Sequence, residues 1–242
     1  MNFEIDQTKL SERILTLIKA VGIPAGLYVF LSFIIIFIVY LIGFIQITGS
    51  ADTLFEITTP EALEALLAQN TTEILLLNTV VSVVLHFLLS GIYGMIIKST
   101  SSPFVGLGAA FKALFSTRGM KVLLFITALQ IIVTTINYLL SMSGLSMVGF
   151  AIGALLQFLT YFVIPIIYLE NKRVSKAVSE SVSIINSSPL FFIPIVLFTY
   201  FISLSGILLF GIGIVFTLPI NFIVAYSLFT ILRENKIVEK QN

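Results

Sequence analysis

Long apolar runs whose charged residues lie at or beyond their ends dominate this sequence. A bilayer core about 30 Å thick is crossed by roughly 20 residues of α-helix. Four runs have about that length, and the uncharged stretch from Pro189 to Leu232 is long enough for two helices. Because Ser203, Ser205 and Gly206 favour a turn inside that stretch, the sequence predicts an all-α bundle of six membrane-spanning helices at residues 23–46, 74–97, 121–142, 147–168, 189–205 and 206–232.

The composition excludes an ordinary soluble domain. Apolar residues make up 58% of the chain and charged residues only 10%, whereas soluble domains have about 25% charged residues. A soluble protein of this size lacks the polar side chains needed to cover so much apolar surface. A lipid bilayer solvates that surface directly, so the bilayer is the first partner that the sequence predicts.

The basic residues are confined to alternate segments of the chain. The loop after the first predicted span carries acids and no Lys or Arg. Lys and Arg accumulate in cytoplasmic segments because they cross the membrane unfavourably during insertion. The sequence therefore predicts that both termini are cytoplasmic, since all thirteen basic residues precede the first span, follow the last, or lie in the second and fourth loops.

Three segments outside the spans have features of their own. Residues 1–22 form a cytoplasmic or interfacial segment, in which apolar residues recur at helical spacing over 8–20 before a turn at 22–24. Thr59-Pro60-Glu61 is a typical helix start and predicts a short extracellular helix. Residues 233–242 form a cytoplasmic tail. Residues 23–232 then make up a single six-span domain.

Four uncharged polar residues lie within roughly two helical turns of the predicted membrane midplane: His86, Gln130, Gln157 and Asn221. Polar groups at that depth need partners, so they are expected to face the interior of the bundle. Two interpretations remain open. They form hydrogen bonds between helices that hold the packing, or they line a polar pocket for a ligand head group, with His86 as a proton-sensitive group.

Little in the sequence favours catalysis. There is no Cys and one His, and the acids lie outside the spans. General acid–base or nucleophilic catalysis, a multi-histidine metal site and a glycine-rich nucleotide loop all lack candidates. Carriers coupled to ions usually hold an ionisable residue within the membrane, and no Asp, Glu, Lys or Arg occurs there. The sequence therefore predicts a protein without enzymatic activity, metal or cofactor.

The segment from Pro165 to Ser181 carries the clearest pattern. A proline near the end of a span is followed by Glu170, and then by Ala177 and Ser181 four apart on the next helical segment. This resembles a group of uncharacterised prokaryotic six-helix membrane proteins that includes the membrane domain of some glycerophosphoryl diester phosphodiesterases. The resemblance implies a six-helix fold in a prokaryotic inner membrane. The sequence has no soluble phosphodiesterase domain, so that activity is not implied.

Two functions follow as hypotheses. The first is a scaffold or accessory protein whose basic cytoplasmic loops contact a protein partner or anionic lipid, with no role for nucleic acid. Its expected docking surface comprises Glu170, Lys172, Arg173, Lys176 and Ser181. The alternative is a permease-like transporter subunit for a lipid or hydrophobic solute, partnered by a cytoplasmic ATPase. A membrane enzyme ranks third, because the acid and histidine clusters that such enzymes use are missing.

Overall fold

The computed structural model describes residues 6–50, 52, 59–102, 104–208, 211 and 213–239. Within those residues every regular element is a helix, and six helical segments are long and apolar enough to cross a membrane. We number them spans one to six: Gln7–Thr48, Thr71–Ser99, Thr117–Met142, Ser146–Glu170, Pro189–Leu208 and Ile214–Asn235. The described part of the chain is thus a multi-pass helical membrane protein, as the sequence predicts.

The N-terminal segment differs from the prediction of a separate helix over residues 8–20. Span one is one continuous α-helix of 42 residues, with Pro24 in its interior. At 1.5 Å per residue it is roughly 63 Å long, about twice the thickness of a bilayer core. Leu17, Val21 and Ala25, four residues apart, are buried in the core. The apolar face of this segment packs on protein, and that packing stabilises a helix that continues through residues 22–24, where a turn was expected.

Span six also begins later than predicted. The expected start at residue 206 is instead a short 3-10 turn at Gly206–Leu208, and the α-helix begins at Ile214. A side chain on Gly206 would overlap the backbone of Gly213 at about 2.2 Å. Gly211 has a φ of 77°, a left-handed conformation that glycine adopts easily. Among the described residues of this region, Gly206 and Gly213 thus approach each other closely and Gly211 is left-handed.

The spans pack in the order five, six, one, two, three, four around the bundle. Span six contacts both span one and span five, and it holds much of the buried core, including Ile223, Leu228 and Phe229. Spans four and five are linked largely through the short helix Val174–Ser187 that connects them. Two further short helices, Pro60–Gln69 and Gly108–Leu114, lie in the first two connections.

Two spans are interrupted, and each break is closed by a hydroxyl group from another segment. Span two is divided at Gly91, where the Tyr28 hydroxyl donates to the Leu88 carbonyl at 2.7 Å. Span four is divided after Leu159, where the Ser181 hydroxyl donates to the Leu159 carbonyl at 2.8 Å, and its helix resumes at Val163. Freed backbone groups have no water partner in a membrane interior, so these contacts allow the breaks to exist.

All the basic loops described by the structure lie at one end of the bundle, which we call the terminal end. Lys9 near the N-terminus pairs with Glu234 near the C-terminus at 2.8 Å. Arg13 also pairs with Glu234 at 2.9 Å and donates to the Thr230 hydroxyl. Arg233 reaches Glu170 at the end of span four at 3.2 Å. An even number of spans returns the chain to the end where it began.

Candidate functional site

A cavity of about 190 Å³ lies at the centre of the bundle, and we call it the central cavity. The four polar residues selected from the sequence all line it: His86, Gln130, Gln157 and Asn221. They come from four different spans. Thr160, Tyr93, Tyr161 and Tyr200 add further polar groups, and the remaining lining residues are apolar. No charged residue contributes to the described lining.

One side of the central cavity is ordered by hydrogen bonds between spans two and three. The Ser82 hydroxyl donates to Gln130 Oε1 at 3.0 Å. His86 Nδ1 lies 2.8 Å from the Ser82 carbonyl, which only accepts, so Nδ1 carries a proton. In neutral His86 the other ring nitrogen, Nε2, is then an acceptor. Gln130 is buried and belongs to the packing between the spans, whereas His86 is exposed and leaves a polar group accessible.

On the opposite side of the cavity the amide of Asn221 has a hydrogen-bond partner, and the amide of Gln157 has none among the described residues. The Tyr161 hydroxyl donates to Asn221 Oδ1 at 3.1 Å. The side chain of Gln157 has no hydrogen bond to any described residue. A primary amide carries two donors and an acceptor, and in a membrane interior such a group is unfavourable unless it is paired. Gln157 therefore marks the part of the cavity with unused hydrogen-bonding capacity.

An apolar groove of about 600 Å³ adjoins the central cavity. It lies between spans three and four on one side and span five on the other. Gln157 and Tyr200 line both spaces, so the two spaces are adjacent. Other lining residues include Phe150, Gly153, Ala154, Val196 and Leu197. The groove exists because spans four and five contact little along this part of their length.

A third space of about 550 Å³ lies at the terminal end, and we call it the basic cavity. Lys98, Lys112 and Arg118 line it, and none of its described lining residues is an acid. Lys98 and Lys112 have no ion pair with any described residue. The cavity therefore holds uncompensated positive charge in a concave space at the end of spans two and three.

Close helix packing positions Lys98 and Lys112 at the same cavity. A side chain on Gly94 would lie about 2.3 Å from Cβ of Ala113 and about 2.7 Å from the Ala109 carbonyl. Only glycine permits so short an approach between span two and the helix Gly108–Leu114. Lys98 is one turn beyond Gly94, and Lys112 precedes Ala113. The Gly94 crossing thus places both ammonium groups beside one cavity.

The other basic residues nearby stabilise the end of span four. Arg118 donates to the Tyr168 carbonyl at 2.6 Å, and Lys121 donates to the Asn171 carbonyl at 3.0 Å. Cations near the last carbonyls of a helix are favoured by the helix dipole. Arg118 and Lys121 are therefore engaged by backbone carbonyls, while Lys98 and Lys112 remain available to a ligand.

The docking surface expected from the sequence is only partly exposed. Arg173 and Lys176 are exposed, whereas Ser181 is fully buried and is not a surface residue. Its hydroxyl donates to the Leu159 carbonyl and accepts from the Phe162 N–H. Glu170 and Lys172 belong to an ion-pair network with Glu180 and Arg233.

In the ion-pair network around Lys172, the positive charges are matched by acids of the same chain. Burial alone lowers the pKa of Lys172, but hydrogen bonds and attraction from Glu170 and Glu180 outweigh burial and raise that pKa above its ordinary value. The ammonium group is thus engaged by acids of its own chain. In the expected docking surface, Arg173 and Lys176 are the cations without an ion pair to a described residue.

Two tyrosines separate the central cavity from the basic cavity. Tyr93 lines the central cavity, Tyr168 lines the basic cavity, and their rings stack with centroids 6.0 Å apart. The Tyr168 hydroxyl lies 3.4 Å from the Ser90 hydroxyl. The apolar groove, the central cavity and the basic cavity therefore follow one another through the bundle, with this tyrosine pair between the last two.

Comparison with known proteins yields no relative. No protein-family model, no curated protein and no solved structure matches this chain. The resemblance of residues 165–181 to a six-helix membrane group consequently stays a prediction.

Sequence reasoning identified the polar lining of the central cavity and missed the basic cavity. Lys98, Lys112 and Arg118 were visible only as members of a basic loop. The signal that was available is Gly94, four residues before Lys98, followed by small residues at 109, 110 and 113 in the next segment. Small residues facing each other permit close helix contact, and this pattern predicts that the two lysines are brought together.

Proposed function

We propose that this protein is a non-enzymatic accessory protein of a prokaryotic inner membrane that binds the anionic head group of a lipid. The observation that carries the proposal is the basic cavity, where Lys98 and Lys112 line a concave space and no described lining residue is an acid. A phosphate-bearing head group supplies the negative charge that these ammonium groups lack.

The orientation expected from the basic residues favours a lipid of the inner leaflet. Lys and Arg are restricted to the segments that meet at the terminal end, and such a bias is typical of the cytoplasmic side. With the terminal end in the cytoplasm, the basic cavity lies where spans two and three leave the membrane. Anionic lipids attract basic side chains at that level.

The shape of the cavity favours a lipid over a protein partner. A volume of about 550 Å³ falls within the range of ~300–1,000 Å³ typical of small-molecule sites. Protein interfaces are instead broad, burying about 800 Å² on each partner. Arg173 and Lys176, the exposed part of the expected docking surface, lie on another loop and are suited to a matched control.

The experiment compares two double variants of the full chain in neutral detergent. Lys98→Gln with Lys112→Gln removes two cations from the basic cavity, and Arg173→Gln with Lys176→Gln removes two from the adjacent loop. Binding of phosphatidylglycerol and of phosphatidylcholine is measured by native mass spectrometry. Because a basic residue near an anionic surface contributes about 1 kcal/mol, we expect the first pair to weaken phosphatidylglycerol binding roughly 10- to 30-fold.

We expect the control pair to change phosphatidylglycerol binding less than about twofold, and phosphatidylcholine binding to be equal in all three proteins. Equal losses of phosphatidylglycerol binding in the two double variants would show diffuse charge attraction and would contradict a specific site in the basic cavity. If a protein co-purifies stoichiometrically and is released only by the Arg173 and Lys176 pair, the accessory role is exercised through that loop instead.

A permease-like role is the second candidate, because three spaces follow one another through the bundle. A lipid or hydrophobic solute passing along them would move the stacked Tyr93 and Tyr168 rings. Reconstituted vesicles containing a fluorescent lipid test this directly. Transport that needs an added ATPase, and that His86→Leu with Gln157→Leu abolishes while the protein still folds, would favour the permease. Without transport under those conditions, the accessory function stands.

A further inference from the structure

The apolar groove faces the region that lipid chains occupy in a membrane. Its described lining is almost entirely apolar, with Asn137, Gln157 and Tyr200 as the polar exceptions. Phe150 is 70% exposed and Leu197 is 52% exposed. The opening between spans four and five is therefore a lateral one, and the medium that reaches it in a bilayer is hydrocarbon.

The groove is more than a site for loosely held bilayer lipid, because it leads to unused polar groups. At its inner end the Gln157 amide has no hydrogen bond to a described residue. Beyond it the central cavity presents His86, whose Nδ1 is engaged by the Ser82 carbonyl while Nε2 is an acceptor in the neutral ring. An apolar ligand alone would leave these groups unpaired at an unfavourable depth.

The chemistry of the central cavity selects an uncharged head group. Its described lining contains no Lys, Arg, Asp or Glu, so an anionic phosphate buried there would have no counter-charge. Amides, hydroxyls and an imidazole both donate and accept hydrogen bonds. Glycerol hydroxyls and ester carbonyls are the matching groups. A volume of about 190 Å³ also limits the head to a small one.

We propose that the groove and the central cavity form one binding site for an acylglycerol. The acyl chain lies in the groove against spans four and five, and the glycerol head enters the central cavity beside Gln157 and His86. The site is separate from the basic cavity, and it does not rest on binding of an anionic lipid there. Its specificity is for an uncharged head group, in contrast to that of the basic cavity.

Two variants and a matched control test the proposal. Gln157→Leu removes the unpaired amide, and Ala154→Phe fills the groove at an exposed position. Ala128→Phe makes the same change at an exposed position of span three that lines neither space. The probe is a monoacylglycerol with a diazirine in its acyl chain, cross-linked to the full-length protein in phosphatidylcholine vesicles and mapped by mass spectrometry.

We expect saturable labelling on spans four and five that unlabelled monoacylglycerol displaces and that phosphatidylglycerol with the same chain does not. Gln157→Leu should weaken it about five- to tenfold, as expected for one lost hydrogen bond in an apolar site. Ala154→Phe should weaken it by at least as much by occupying the space of the chain, and Ala128→Phe should leave it unchanged. Ala154→Phe keeps the test valid if Gln157→Leu fails to elute as a folded protein.

Three results would overturn the site. Labelling spread evenly over all lipid-facing helices, and insensitive to Ala154→Phe, would show ordinary bilayer lipid. Equal displacement by phosphatidylglycerol would remove the selectivity for an uncharged head. Loss of labelling in the Lys98 and Lys112 double variant, with Gln157→Leu unaffected, would place the ligand in the basic cavity. That last outcome leaves the proposed accessory function intact while refuting the acylglycerol site.

Discussion

The buried Ser181 hydroxyl donates to the Leu159 carbonyl at 2.8 Å and so ties the helix after span four to the break within that span. The same oxygen accepts from the Phe162 N–H at 3.1 Å. Two backbone groups freed by the break are thereby satisfied by one side chain. The break in turn places Thr160 and Tyr161 at the central cavity. Ser181 acts on the site only through this backbone.

Replacing Ser181 by Ala should destabilise the protein by about 1–3 kcal/mol, because it leaves the Leu159 carbonyl and the Phe162 N–H without their partner. Ser183→Ala, at an exposed position of the same helix, should have no measurable effect. Thermal unfolding in detergent, followed by size-exclusion chromatography, measures both variants. Equal melting temperatures would show that the break is held by other contacts.

Gly94→Ala should disrupt the basic cavity. The added methyl group would lie about 2.3 Å from the Ala113 side chain and about 2.7 Å from a backbone oxygen, so the helix carrying Lys112 must shift. Gly106→Ala is the control, because its added Cβ meets nothing within 4 Å. We expect Gly94→Ala to lower both the melting temperature and the phosphatidylglycerol affinity. If affinity is kept while stability falls, the close crossing is not required to place the lysines.

The Arg13 and Glu234 pair should contribute modestly to joining the two ends of the chain. The two side chains are 27% and 42% exposed, so solvent screens their attraction. A double-mutant cycle with Arg13→Gln and Glu234→Gln should give a coupling energy of about 0.5–1 kcal/mol. High salt should reduce it. A coupling near zero would mean that the apolar contacts between spans one and six hold this region alone.

The proposed orientation predicts a simple labelling pattern, since the chain has no native cysteine. Glu64→Cys, on the helix Pro60–Gln69, and Lys176→Cys, at the terminal end, are both at exposed positions. In intact spheroplasts a membrane-impermeant maleimide should label the first and not the second. Permeabilised cells supply the control in which both react. The reverse pattern would place the terminal end outside the cytoplasm and would remove the support for an inner-leaflet lipid.

The sequence predicted the positions of the membrane spans well and the contacts between distant segments poorly. The predicted bounds of span three, 121–142, agree closely with Thr117–Met142. The separate helix over residues 8–20 was wrong, because burial of Leu17 and Val21 against the bundle favours continuing the helix through Pro24. The exposed role expected for Ser181 was wrong for a related reason. The sequence of this helix is polar, and nothing in it indicates that Ser181 packs against the break in span four.

Length and polarity along the chain determined by themselves that this is a multi-pass helical membrane protein, because the width of a hydrocarbon layer is matched by a local run of residues. They also placed His86, Gln130, Gln157 and Asn221 at similar depths. Tertiary structure decided that these four side chains line one cavity, that Gln157 lacks a described protein partner, and that Lys98 and Lys112 line another. In a membrane both the lipid-facing and the protein-facing sides of a helix are apolar. The sequence pattern therefore leaves open how each helix is rotated, and contacts between distant segments decide it.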